Sequence, residues 1–100
     1  MADPRHMVQI EYIYADKCKE CEMATSMIET FLEEENCSAS LRKLFYLDNE
    51  TIRFCIDNSI DDIPSCIIGS KYKFVGWKSF TKEAIKKAIS RSKTLIDDES

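Results

Sequence analysis

At 100 residues, 44% hydrophobic and 32% charged, the chain has the length and composition of a single globular domain with a modest core. A net charge of −4 with acids and bases interleaved excludes the basic footprint of a nucleic-acid binder, and no apolar run is long enough for a bilayer-spanning helix. Five cysteines, an odd number, argue against the evenly paired framework of a small secreted domain, so a cytoplasmic setting is expected.

Residues 1–7, MADPRHM, are polar and patternless and read as a leader or expression scar. They contain His6, the only histidine, which removes Cys–His nucleophile pairs and mixed Cys/His zinc sites from consideration. The domain is expected over 8–90. Val8 to Ala15, rich in β-branched and aromatic residues, predicts a strand. From Cys18 onward Met23, Ala24, Met27, Ile28, Phe31 and Leu32 recur at helical spacing, predicting a helix to about Asn36 with both methionines in the core.

Residues 36–40 read as a loop and Leu41 to Asp48 as a short buried strand. Asp48 or Asn49 can cap a second helix over 50–60, with Ile52, Cys55 and Ile56 on its apolar side. Ser65 to Ile68 and Lys71 to Val75 flank Gly69-Ser70, the signal of a hairpin with a type II′ turn. Phe80, Ala84, Ile85, Ala88 and Ile89 predict a last helix capped by Ser79 or Thr81, with a Phe80/Ile85 staple if Thr81 is the cap. Residues 91–100 read as a polar tail. The order is β-α-β-α-β-β-α, and its βαβ crossover makes the first two strands parallel.

Two cysteines three apart, Cys18 and Cys21, fall at the seam between the first strand and the first helix. A thiolate there faces unpaired N–H groups and the positive end of the helix dipole, which lowers a cysteine pKa from about 8.5 toward 7 or below. Lys17 and Lys19 favour the thiolate further, while Asp16 and Glu20 oppose it. The second cysteine lies within disulfide reach of the first. A lone Cys-x-x-Cys also serves metal sites, whose other ligands would have to come from Cys37, Cys55, Cys66 or acids.

Pro64 falls just before a strand expected to be buried, where proline forfeits a ladder hydrogen bond. A cis Ile63–Pro64 bond, exposing the Ile63 backbone to an extended peptide, would favour it; a trans proline opening the strand is the plainer reading.

Together, the strand leading to Cys18-Lys19-Glu20-Cys21, the KLFYLDNE segment, SIDDIPS and FVGW resemble the thioredoxin superfamily over roughly residues 8–89. The resemblance implies an α/β, minimal thioredoxin-like fold: a four-stranded mixed sheet flanked by three helices. It implies a thiol–disulfide oxidoreductase in which Cys18 attacks, Cys21 resolves, and a cis Pro64 sits against the sulfurs. Ile63 would offer backbone hydrogen bonds to substrate, and Gly76 would keep the groove wall low. Trp77 and Tyr14 read equally as a rim of that groove in contact with substrate or as simple packing. Lys17 stands where the family has an aromatic residue, and Lys19-Glu20 replaces the familiar proline-containing pair.

The length is closer to glutaredoxins, but Gly76 is followed by Trp77, Lys78 and Ser79 rather than by a complete glutathione cradle. No cofactor is therefore implied beyond a Cys18–Cys21 disulfide, with glutathione a secondary expectation. The implied partners are disulfide-bearing proteins and, as electron donor, a reductase or low-molecular-weight thiol. Neither nucleic acid nor membrane is expected, and the chain should be a monomer acting in the reductase direction. A glutaredoxin-like metal or iron–sulfur carrier and a non-catalytic peptide-docking adaptor are the alternatives. Glu11 reads as a face charge rather than a proton shuttle. Cys55 and Cys66 read as small core hydrophobes, and Cys37 as an inert loop thiol.

Overall fold

The computed structural model describes residues 7–35 and 38–98; most of the expected leader, with His6, and Cys37 lie outside them. In chain order come β1 (Met7–Tyr14), α1 (Lys19–Glu34), β2 (Ser38–Phe45), α2 (Asn49–Asp57), β3 (Ser65–Ile68), β4 (Tyr72–Val75), a 3-10 turn (Trp77–Ser79) and α3 (Lys82–Asp98). The sheet runs β2-β1-β3-β4, with β1 and β2 parallel and the other pairs antiparallel. This is the expected mixed four-stranded sheet with three helices.

Strand β1 separates two cores. Val8, Ile10 and Tyr12 share one parity and join Ala24, Ile28, Phe31, Ile85 and Ile89 of α1 and α3. Ile13 has the other parity and joins Leu44, Ile60 and Ile67, with Phe54 and Cys55 of α2 packed against them. All four residues of β3 are buried, as a strand covered on both faces requires.

The register Tyr14↔Phe45, Ile13↔Ser65 and Ser65↔Val75 gathers the C-terminal ends of β1, β2 and β4 and the start of β3 at one edge of the sheet. The loops 15–18, 46–48, 61–64 and Gly76 therefore meet there.

Several expectations are corrected. β2 begins and ends three residues earlier than predicted, and Tyr46–Asp48 instead turn the chain into α2, where the Asp48 N–H donates to the Phe45 carbonyl at 3.1 Å. Asp48 is the N-cap of α2 by position, but its side chain makes no cap hydrogen bond. Met23 is 56% exposed and Ile56 73%, with Ile52 also exposed. The buried stripe of α1 is Cys21, Ala24, Ile28, Phe31 and Leu32, and the only buried residue of α2 is Thr51.

Gly69 and Ser70 both have positive φ, 62° and 57°, which is type I′ rather than II′. The pairing of Ile68 with Tyr72 puts three residues in the loop instead of two. Gly69 packs so closely on α3 that an added Cβ would collide with the Ser92 side chain, 2.9 Å from its Cβ.

α3 extends to Asp98, through eight residues expected to be tail. Its N-cap is Thr81, whose hydroxyl accepts from the Ala84 N–H at 3.2 Å, and the staple residues Phe80 and Ile85 are both buried in one cluster. At the end of α1, Glu34 lies 3.8 Å from Lys86 of α3, an exposed pair of small energetic weight.

Candidate active site

Cys18 is the N-cap of α1 in extended conformation, and its sulfur accepts from the Cys21 N–H at 3.1 Å. The two cysteines form a disulfide with Cα atoms 5.2 Å apart. Cys18 is half-buried while Cys21 is 4% exposed. The inequality follows from the helix: Cys21 begins the buried stripe, whereas Cys18 stands on the loop before it. Lys17, exposed, takes a left-handed φ of 51° to turn the chain from β1 into the cap.

Beneath the pair, the Tyr12 hydroxyl donates to the Cys21 carbonyl at 2.5 Å and the Thr25 hydroxyl to the same oxygen at 3.0 Å. Burial pushes the Tyr12 pKa up, the neighbouring Cys66 adding to this while a hydrogen bond with Thr25 opposes it. Tyr12, not Glu11, is thus the ionisable group under Cys21. Parity puts Glu11 on the opposite face of β1, where it is half-buried. The sequence signal was available: Tyr12 shares the alternation of Val8 and Ile10.

A cleft of about 280 Å³ opens at the disulfide, with Tyr14, Asp16, Lys17, Glu22 and Lys43 on its walls. Tyr14 is held there by a tilted contact with Phe45 at 5.6 Å. A larger concavity, about 700 Å³, has no cysteine in its lining and includes Met23, Met27 and Phe31. Trp77 is half-buried, stacked on Phe80 at 6.0 Å and packed against the main core; it is not in the wall of the cleft at the disulfide.

The Ile63–Pro64 peptide is cis, and Pro64 is fully buried. Its carbonyl accepts from the Gly76 N–H at 2.9 Å. The buried Ser65 hydroxyl donates to the Asp62 carbonyl at 2.5 Å and accepts from the Gly76 N–H at 3.3 Å, tying the 61–64 loop to the end of β4. Asp62, which the sequence did not single out, has its carboxylate 2.8 Å from the Ile63 N–H. The other oxygen of the same carboxylate lies only 2.7 Å from where a Cβ on Gly76 would be. At φ 82° Gly76 also has a backbone that side-chain-bearing residues rarely adopt.

Cys66 is buried and its pKa is pushed up to about 12 by burial; Cys55, half-buried, is raised for the same reason. Among the described residues no group of three or more His, Cys, Asp or Glu side chains is placed to hold a metal ion, and no helix is long and apolar enough to cross a membrane.

No family model matches the sequence, and no curated protein sequence matches it. Solved structures do. A mutant thioredoxin from Halobacterium salinarum superposes with a TM-score of 0.65 at 18% identity, covering 92% of this chain and 95% of that one. The chain has a thioredoxin fold. Mitochondrial thioredoxin 3 from Saccharomyces cerevisiae, in its oxidised form, gives 0.62 at 17% identity over 84% of this chain and 77% of that chain. Oxidised thioredoxin from Plasmodium falciparum gives 0.58 at 15% over 84% and 79%. Within this thioredoxin fold the Cys-x-x-Cys disulfide sits at the first helix N-terminus, on the edge where the strand ends converge.

Proposed function

We propose that the chain is a thiol–disulfide oxidoreductase working in the reductase direction by a dithiol mechanism. The observation that carries the reading is the unequal placement of the pair: Cys18 on the accessible cap, Cys21 behind it in the buried stripe. In the reduced protein the Cys18 thiolate attacks one sulfur of a substrate disulfide. A mixed disulfide forms, and the other substrate sulfur leaves as a thiolate that takes up a proton. Cys21, losing its proton, then attacks Cys18 and expels the second substrate thiolate. Two electrons pass to the substrate, whose two thiolates take up one proton matching that lost by Cys21 and one from water, and the Cys18–Cys21 disulfide remains.

The Cys21 N–H aimed at the Cys18 sulfur and the helix N-terminus favour the attacking thiolate; Lys17 and Lys19 are the nearby cations assigned to the same task. Ile63, Pro64 and Gly76, on the same sheet edge, and Trp77 are assigned to an extended substrate chain, to which Ile63 offers its backbone. The substrates are disulfide-bearing proteins, and the chain acts as a monomer in a cytoplasmic setting. Electrons return from a reductase or a low-molecular-weight thiol, with no cofactor beyond the disulfide.

A redox titration read by alkylation and mass spectrometry tests this. The expected result is a reversible two-electron couple at Cys18–Cys21, with a Cys18 pKa below about 8.5. Cys21→Ser should accumulate a mixed disulfide with a disulfide-bearing substrate, and Cys18→Ser should not. A pair that fails to cycle, or cysteines protected by stoichiometric metal, would overturn the reading.

A further inference from the structure

The two backbone positions assigned to substrate, Ile63 and Gly76, lie under one side chain. The Asp62 carboxylate takes the Ile63 N–H through one oxygen at 2.8 Å, and its other oxygen fills the space beside the Cα of Gly76. Asp62 is exposed, as is its neighbour Asp61, and among the described residues neither is in an ion pair. The lysine of β4, Lys73, is turned to the Asn58 carbonyl at 2.7 Å. The free protein thus presents an uncompensated carboxylate over the place where substrate backbone would lie.

A substrate carbonyl that pairs with the Ile63 N–H must displace this carboxylate, which loses a charge-assisted hydrogen bond. The loss is offset when the incoming chain brings a cation to the displaced oxygen. An acidic chain adds like-charge repulsion instead. From these contacts we infer that Asp62 determines substrate specificity: the site takes disulfides flanked by lysine or arginine and disfavours those flanked by acids. The inference rests on the dithiol reading above and names the substrate class of that same site.

The test uses three synthetic disulfide peptides identical except for lysine, glutamine or glutamate on each side of the reacting cysteine. Their reduction by the reduced full-length chain is followed at low salt. Lysine should exceed glutamate in kcat/KM by about tenfold, the size expected of exposed charge pairs and their like-charge counterparts. The difference should sit in KM and shrink with added salt. In Asp62→Asn, whose amide oxygen can still accept from the Ile63 N–H, the preference should fall below about twofold, and Asp62→Glu should restore part of it. Equal rates for all three peptides would overturn the inference alone, as would a preference that survives Asp62→Asn. Failure to reduce any peptide would overturn the dithiol reading and this inference with it.

Discussion

Cys66 lies opposite Tyr12 in the sheet, has no exposed surface, and keeps its proton to about pH 12 against an ordinary value of 9.0. It is therefore poorly reactive, since the thiolate is the nucleophile. The same shift has a stability consequence. In the unfolded chain Cys66 ionises near 9, whereas in the fold it stays neutral, so between 9 and 12 the unfolded state binds fewer protons. Stability is untouched below pH 9 and falls as pH rises through that window, at up to about 1.4 kcal/mol per pH unit for one group. Tyr12 and Cys55, also raised by burial, act in the same direction. Urea unfolding compared at about pH 8.5 and about pH 10.5 should show Cys66→Ala losing about 1–2 kcal/mol less stability than the unsubstituted chain; equal losses would refute the assignment.

Helix α2 ends in a Schellman motif. The Ile60 N–H donates to the Cys55 carbonyl at 2.8 Å and the Ser59 N–H to that of Ile56 at 3.3 Å, while Ile60 and Cys55 share the smaller core. Its C′ residue is Ser59 at φ 57°, a place that suits glycine. Ser59→Gly should raise stability by about 0.5–1 kcal/mol, measured as a higher urea midpoint with an unchanged slope; a lower midpoint would contradict the strain argument.

The elements most legible in the sequence are those with punctuation at both ends: β3, bounded by Pro64 and Gly69, matches its expected range residue for residue. The expected range of β2 slips because nothing breaks the apolar run through Tyr46 and Leu47, and only pairing with β1 decides where the strand stops. The sequence pattern of α3 ends early because Ser92 occupies a core-facing slot. It is buried there with a hydroxyl that finds no hydrogen-bond partner among the described residues, so composition hides the helical repeat. In α2, Ile52 and Ile56 resemble core residues because spacing marks a face without saying what covers it.

Across the whole molecule the two faces of the sheet are unequally covered. Among the described residues, one carries α1 and α3 with a cluster of thirteen buried residues; the other carries α2 with a cluster of four. Local opening free energy follows buried apolar contact, so amide exchange should release α2 before the centres of α1, α3 and β1. Exchange of α2 at the global rate would count against this. The cysteine pair and its helix are readable from spacing. Asp62 is not, since its place over Gly76 depends on a chain return fourteen residues away.

Ser65 holds that return. Its buried hydroxyl joins the Asp62 carbonyl to the Gly76 N–H, which the Pro64 carbonyl also takes at 2.9 Å, so the 61–64 loop and the end of β4 are fastened directly to each other. The two behave as one stretch of wall rather than as two banks, and a shift of either carries the other with it.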